Sequence, residues 1–141
     1  MNKSAATIRI VLDRSAIESY AMGHMHVGEV ITEVIADKAE YYAVGLPATA
    51  LAEAYGRAQD EVAAARLGIL ASLSSTVLID LDAENTGQVG SIIPHARGDM
   101  QRAHAAWAVL KHRALILTAE PEEAQRVVPG HRIIEIPAED A

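Results

Sequence analysis

The chain contains no cysteine and no phenylalanine, and only one tryptophan. Without cysteine there is no disulfide framework, no thiolate metal site and no cysteine nucleophile, which is consistent with an intracellular, cytoplasmic setting. With phenylalanine missing and alanine abundant, helices are expected to pack closely, with leucine, isoleucine and valine carrying the core. A long apolar run is also missing. Met1 to Ala6 leads into Arg9, Asp13 and Arg14, so neither a signal-peptide apolar region nor a membrane span is expected. Positive charge is scarce as well: 12 Lys and Arg stand against 19 Asp and Glu, a net charge of −7. That balance argues against holding nucleic acid on a broad basic surface. It leaves room for a nuclease, because a site that gathers carboxylates around a divalent metal is itself acidic and the metal meets the phosphate.

What is present suits one domain over residues 1–141. Of these 141 residues 50% are hydrophobic, enough for a sizeable core without metal or disulfide staples. No internal repeat or low-complexity segment interrupts it.

The element order follows from hydrophobic patterning. Ile8, Ile10, Val11 and Leu12 form a short apolar run that stops on Asp13, as a strand buried in a parallel sheet would. Ser15 to Met22 reads as a short helix, broken by Gly23 to His26. Val27, Val30, Ile31, Val34 and Ile35 mark an amphipathic helix to about Lys38, with Glu29, Glu33 and Asp37 on its solvated face. Tyr41 to Gly45 reads as a strand, and Leu46-Pro47 leads into a helix carrying Glu53, since proline is tolerated at a helix start. A helix from Asp60 to Leu73, a strand from Val77 to Asp82 and a helix from Ala83 to Ile93 come next. After a loop at Pro94 to Gly98, Asp99 opens a helix with Ala103, Ala106, Trp107 and Leu110 as its apolar stripe. Ala114 to Thr118 is a buried strand, Glu122 to Val127 a short helix, and Arg132 to Ile136 an edge strand before an acidic tail. This alternation predicts a three-layer α/β/α fold around a parallel sheet with right-handed crossovers.

In such a sheet every strand exit lies on one edge, where ligands bind. Asp13 stands at the first exit, Glu53 just into the helix after the second, and Glu120 after the strand ending at Thr118, while Asp99 starts the helix leading into that strand. Asp13 and Asp99 have a plainer role available, since both suit a helix N-cap. Together the four acids form a hard oxygen set fit for Mg²⁺ or Mn²⁺, which would activate water and offset charge on a phosphodiester.

Val11 to Ala16 resembles the leading motif of PIN-domain ribonucleases, an aspartate at a strand end followed two residues later by serine or threonine. Pro47 to Ala54 resembles their second motif, with a glutamate on the following helix, and Asp99 to His104 with Leu115 to Glu120 resembles the third. The likeness runs from about Ile8 to Ile136, and the layout is most similar to the VapC-type toxins of toxin–antitoxin pairs. It implies a five-stranded parallel sheet in the order 3-2-1-4-5, and a metal-dependent endoribonuclease of type II toxin kind with an RNA substrate. A Mg²⁺ or Mn²⁺ cofactor, a cognate antitoxin and a homodimer are implied with it. Residue by residue, Asp13, Glu53, Asp99 and Glu120 are the implied metal ligands and catalytic acids, with Ser15 and Thr118 supporting and Arg14 and Arg102 as candidate RNA contacts. Counting back from Thr118 places Arg102 where the family has an aspartate, and Asp99 lies one helical turn earlier. If Arg102 points into the site, it binds phosphate or weakens the hold on metal. The alternative is then a PIN-like protein that binds RNA or a partner without a full metal site.

Other residues carry less. His24 and His26 are a close pair with no third zinc ligand at suitable spacing. His104 and Trp107 are expected to pack rather than to catalyse. A phosphoacceptor receiver domain also has acids at strand ends, but it needs a lysine after the last strand, and Lys3, Lys38 and Lys111 are not so placed.

Overall fold

In the computed structural model, which describes residues 6–36 and 41–137, twelve regular elements alternate along the chain. They run β1 (Thr7–Leu12), α1 (Arg14–Ala21), α2 (Met25–Ala36), β2 (Tyr42–Pro47), α3 (Ala48–Arg57), α4 (Glu61–Ser72), β3 (Thr76–Ile79), α5 (Thr86–Ile92), α6 (Met100–His112), β4 (Leu115–Thr118), α7 (Pro121–Ala124) and β5 (Ile133–Glu135). Short 3₁₀ turns lie at Ile93–Ala96 and Gly130–Arg132. All strand pairs are parallel and the sheet order is β3-β2-β1-β4-β5, as expected. The order leaves β1 in the centre, with a neighbour on each side to cover its backbone.

The sheet separates two apolar layers. Ile10, Leu12, Val44 and Leu46 pack on Ile17 of α1, Val27 and Ile31 of α2, Leu51 of α3 and Leu67 and Leu70 of α4. Ile8, Val11, Ala43 and Ile116 pack on Ala105, Ala106 and Val109 of α6. Each fully buried Leu or Ile contributes about 1.5–3 kcal/mol, so burial of this kind rather than any crosslink holds the layers together. Ile8 and Ile10, two apart, would face the same side of a regular strand. They face opposite sides because Ile8 pairs with Ala43 and Ile10 with Val44, leaving Arg9 as the extra residue of a bulge. Gly45 on β2 allows β1 and β3 to close in: a Cβ there would sit 2.7 Å from Ile79 Cδ1 and 3.1 Å from Ile8 Cγ2.

Several boundaries differ from the sequence-based expectation. β2 continues through Leu46 and Pro47 because β1 pairs with it only as far as Gly45, so the proline's missing N–H has no ladder partner to fail on that side. β3 stops at Ile79, not Asp82, and α5 begins at Thr86, not Ala83. The reason is a turn in which Asp82 Oδ1 accepts from the N–H groups of Glu84 and Asn85, both at 2.9 Å, and Asn85 donates to the Asp80 carbonyl at 2.8 Å. Part of the expected loop at Pro94 to Gly98 is a 3₁₀ turn, and α7 ends at Ala124. Helix α6 is buried on most of its circumference, so its stripe does not mark its core face: Leu110 is 53% exposed, whereas Gln101, Arg102 and His104 are buried. Glu29 and Glu33 are exposed as expected, while Asp37, Lys38 and the acidic tail lie outside the described residues. Among the described residues no helix is long and apolar enough to cross a membrane.

Candidate functional site

Because β1 is central and parallel to β2 and β4, its carboxyl end lies beside theirs, and the acids that follow these strands meet there. Asp13 is completely buried and caps α1, its Oδ1 accepting from the N–H of Ala16 at 3.1 Å. Ser15 Oγ donates to the same Oδ1 at 2.6 Å, and Thr118 Oγ1, at the end of β4, donates to Oδ2 at 2.6 Å. The two hydroxyls are aimed in turn. Ser15 accepts from the Ala119 N–H at 2.8 Å and Thr118 from the Glu120 N–H at 2.9 Å, so both hydroxyl protons face the carboxylate. Burial pushes the Asp13 carboxyl above its ordinary value; the hydrogen bonds from Ser15, Thr118 and Ala16 and the charge of Arg102 pull the other way.

The first turn of α6 supplies the next layer. Asp99 is its N-cap, with Oδ1 accepting from the Arg102 N–H at 3.2 Å. The Arg102 side chain is only 5% exposed and points into the acids. Its Nη1 donates to Asp99 Oδ2 at 3.0 Å, its Nη2 donates to Glu120 Oε1, and Nη2 lies 3.8 Å from Asp13 Oδ2. Around this core lies a second, more open group. Arg14 Nη1 binds Glu53 Oε1 at 2.8 Å and lies 4.0 Å from Asp99, and its Nε lies 3.0 Å from Glu18. Burial works against the charge of Arg14, but the ion pairs with Glu53, Asp99 and Glu18 hold it more firmly protonated than usual.

The structure thus brings together all eight residues singled out from the sequence: Asp13, Ser15, Glu53, Asp99, Thr118, Glu120, Arg14 and Arg102. Asp13 and Asp99 are helix caps and members of the cluster at once. Two participants were not foreseen. Glu18 joins Arg14 and also Arg57, the latter at 3.4 Å, and its position four residues after Arg14 on one helix was the available signal. Gln101 is fully buried; its Oε1 accepts from the Arg14 N–H at 2.9 Å and its Nε2 reaches Asp99 Oδ2 at 3.4 Å. Nothing in the pattern around Gln101 announces this.

The arrangement does not fit the divalent metal that the resemblance implies. Both Asp13 oxygens are engaged by hydroxyl or amide donors, Glu53 is paired with Arg14, and the Arg102 guanidinium stands among Asp13, Asp99 and Glu120. Among the described residues no three His, Cys, Asp or Glu side chains are grouped so as to hold a metal ion. His24 forms no part of such a group either; its Nδ1 meets Ser19 Oγ at 3.3 Å.

His104 is packed, as expected, and has a definite task. Nδ1 meets Thr49 Oγ1 of α3 at 2.9 Å and Nε2 meets the Asp80 carbonyl at 3.1 Å, so a neutral ring donating from Nε2 ties α6 to α3 and to the turn that follows β3. Burial lowers its pKa. Trp107 donates to Gln88 Oε1 at 2.7 Å and packs near His104. Away from the acids, a groove of about 810 Å³ runs beside α1, α2 and α4, lined by Tyr20, His24, Met25 and Ile69 among others.

No family model and no curated protein matches the chain. Solved structures do. Over 91% of its length and 98% of the other chain's, it is similar to a chain in the crystal structure of VapBC2 from Rickettsia felis bound to a DNA fragment from their promoter, with 14% identity and a TM-score of 0.67. It is also similar to PAE2754 from Pyrobaculum aerophilum, with 18% identity and a TM-score of 0.55 over 90% of this chain and 83% of that one. At these identities the likeness is one of fold. The parallel β3-β2-β1-β4-β5 sheet between two helical layers is the PIN-like α/β/α fold that the motifs around Asp13, Glu53 and Thr118 implied.

Proposed function

We propose that this chain is a VapC-type PIN-domain protein, one member of a toxin–antitoxin pair, that works by binding a cognate antitoxin and not by metal-dependent cleavage of RNA. The observation that carries the reading is the Arg102 guanidinium, buried among Asp13, Asp99 and Glu120 where a metal-dependent nuclease of this fold needs a cation of another kind. RNA is the weaker partner on electrostatic grounds. The net charge is −7, and both arginines that could meet phosphate at the site are already ion-paired with carboxylates. A protein partner is supported by the apolar rim of the groove beside α1, α2 and α4, where Met25 is 73% and Ile69 56% exposed. It is also supported by the solved relative, whose structure is that of VapBC2 bound to DNA. Homodimerisation belongs to the same proposal, with the exposed Leu110 on α6 as the face to probe by sedimentation.

A second reading, a Mg²⁺- or Mn²⁺-dependent endoribonuclease using Asp13, Glu53, Asp99 and Glu120, is favoured by the convergence of those four acids. One experiment separates the two. The purified chain is incubated with single-stranded RNA and millimolar Mg²⁺ or Mn²⁺. Intact RNA, together with a stable complex when the chain is co-expressed with the product of an adjacent small open reading frame, is the expected result. Manganese-dependent cleavage that disappears in Asp13→Asn overturns the proposal in favour of the nuclease.

A further inference from the structure

Four carboxylates brought to one sheet edge repel one another, and something must offset that repulsion. In this chain the offset is covalently attached. Arg102 reaches from the first turn of α6 so that its two terminal nitrogens face three carboxylates from three separate places: the β1 exit, the α6 cap and the β4 exit. It is 5% exposed, so solvent screens these charges weakly. The fit is that of a cation placed for charge rather than for complete hydrogen bonding, because among the described residues Nε is buried with no acceptor. Arginine suits the position, since it does not lose its proton and presents a fixed planar fork to carboxylates. An ion such as Mg²⁺ would draw oxygens from the same carboxylates to about 2.0–2.1 Å, which the guanidinium prevents by standing between them.

We propose that Arg102 is a built-in cation that holds the acid site together in place of a divalent metal, and that removing its guanidinium turns the same carboxylates into a metal-binding site. The inference rests on the reading of the chain as a PIN-like protein that does not cleave RNA, and it adds what became of the metal position. Once the guanidinium is gone, Asp99 Oδ2 and Glu120 Oε1 lose their shared donor and Asp13 Oδ2 keeps only the Thr118 hydroxyl. The three then surround the space the arginine head filled. In Arg102→Asp a further carboxylate enters on the same helical turn as Asp99, one turn being enough to put both on one face.

The test is a titration of the purified full chain with Mn²⁺, followed by electron paramagnetic resonance of the free ion, together with thermal melts with and without millimolar Mn²⁺. The wild type is expected to bind no Mn²⁺ below millimolar concentration, and its melting temperature is expected not to move. Arg102→Asp is expected to melt lower without metal, to regain stability when Mn²⁺ is added, and to bind Mn²⁺ about tenfold or more tighter than the wild type. Arg102→Lys, which keeps a cation in place, is expected to remain indifferent to Mn²⁺. If Arg102→Asp does not fold, Arg102→Gln decides by the same two readouts. Wild-type binding as tight as that of the variants overturns the inference, and so does a folded Arg102→Asp or Arg102→Gln that gains no affinity. These readouts involve no RNA: variants that gain no metal in a chain that also leaves RNA intact sink this inference alone.

Discussion

Two arginines divide the acid site into an inner and an outer half, and each has three acidic neighbours. Arg102 meets Asp13, Asp99 and Glu120; Arg14 meets Glu18, Glu53 and Asp99. The difference lies in what surrounds them. In the inner half Asp13 is fully buried and both its oxygens are held by donors that are themselves oriented by backbone amides. In the outer half the Glu53 side chain is 43% exposed, as Glu120 is in the inner half, but no buried acid like Asp13 anchors it, and among the described residues it answers to Arg14 alone. Equal numbers of ion pairs therefore carry unequal weight. A buried charge that loses its partners is expensive, whereas an exposed pair is mostly water's business.

The largest effect is expected from breaking the inner half at its centre. Asp13→Ala leaves the Ser15 and Thr118 hydroxyls and the Ala16 N–H without their acceptor, removes the cap of α1, and takes one of three counter-charges from buried Arg102. Stranding one side of a buried ionic network of this kind costs about 3–5 kcal/mol. Urea unfolding of the variant checks it. A loss below about 1 kcal/mol, the range of an exposed pair, would mean that the inner half is no more tightly organised than the outer.

Acid provides an intermediate test through His104, behind the inner half; the Asp13 carboxyl, which burial also raises, is present in both the wild type and the His104 variant, so the comparison between them isolates the histidine. Neutral His104 accepts from Thr49 and donates to the Asp80 carbonyl, and burial lowers its pKa from 6.5. Its folded-state pKa lies below its unfolded one, so the unfolded chain takes up the proton first. The contribution is fully present above pH 6.5 and is lost as pH falls through the folded-state value. His112 is shifted in the same direction by burial and by Lys111. The measurement is stability against pH for the wild type and for His104→Gln, whose amide can both donate and accept. The wild type is expected to fall more steeply on acidification from 6.5, and parallel curves would show that the His104 link is not what joins α3 and α6 there.

The inner half was also the better written in the sequence, though not completely. Apolar runs ending on Asp13 and on Thr118 announced two strand exits, and the parallel alternation put them on one edge. Counting back from Thr118 even located Arg102 as the residue standing where an acid was due. What counting could not supply was the direction of that side chain, which depends on Asp99 capping the same helix and on Glu120 lying opposite. Gln101 was silent for a similar reason: its contacts with Arg14 and Asp99 are long-range or non-periodic, and a buried glutamine on a helix otherwise lined with alanine looks like a solvated one. The bulge at Arg9 and the exposure of Leu110 went unseen because period-based reading assumes regular strands and one-sided helices. β1 is bulged, and α6 is enclosed on most sides.

The smallest effect belongs to the outer half, and it is also the most informative about the boundary between the two. Glu53→Gln removes one partner of Arg14 but leaves Glu18 at 3.0 Å and Asp99 at 4.0 Å. With Glu53 nearly half exposed, the loss is expected to be under about 1 kcal/mol. It should also shrink as salt rises toward molar concentration, where charges are screened over about 3 Å. The combination Glu53→Gln with Asp13→Ala decides whether the halves are separate. The two sites share Asp99 as a common neighbour of both arginines, so coupling can pass through that carboxylate, through Gln101 at its side, and through the first turn of α1, which Asp13 caps and Arg14 begins. If the two losses add to within about 0.5 kcal/mol, the outer arginine is an independent surface feature. A larger departure means that the halves are coupled, through Asp99 shifting between Arg14 and Arg102 or through the first turn of α1, and that the seven charged groups behave as one network.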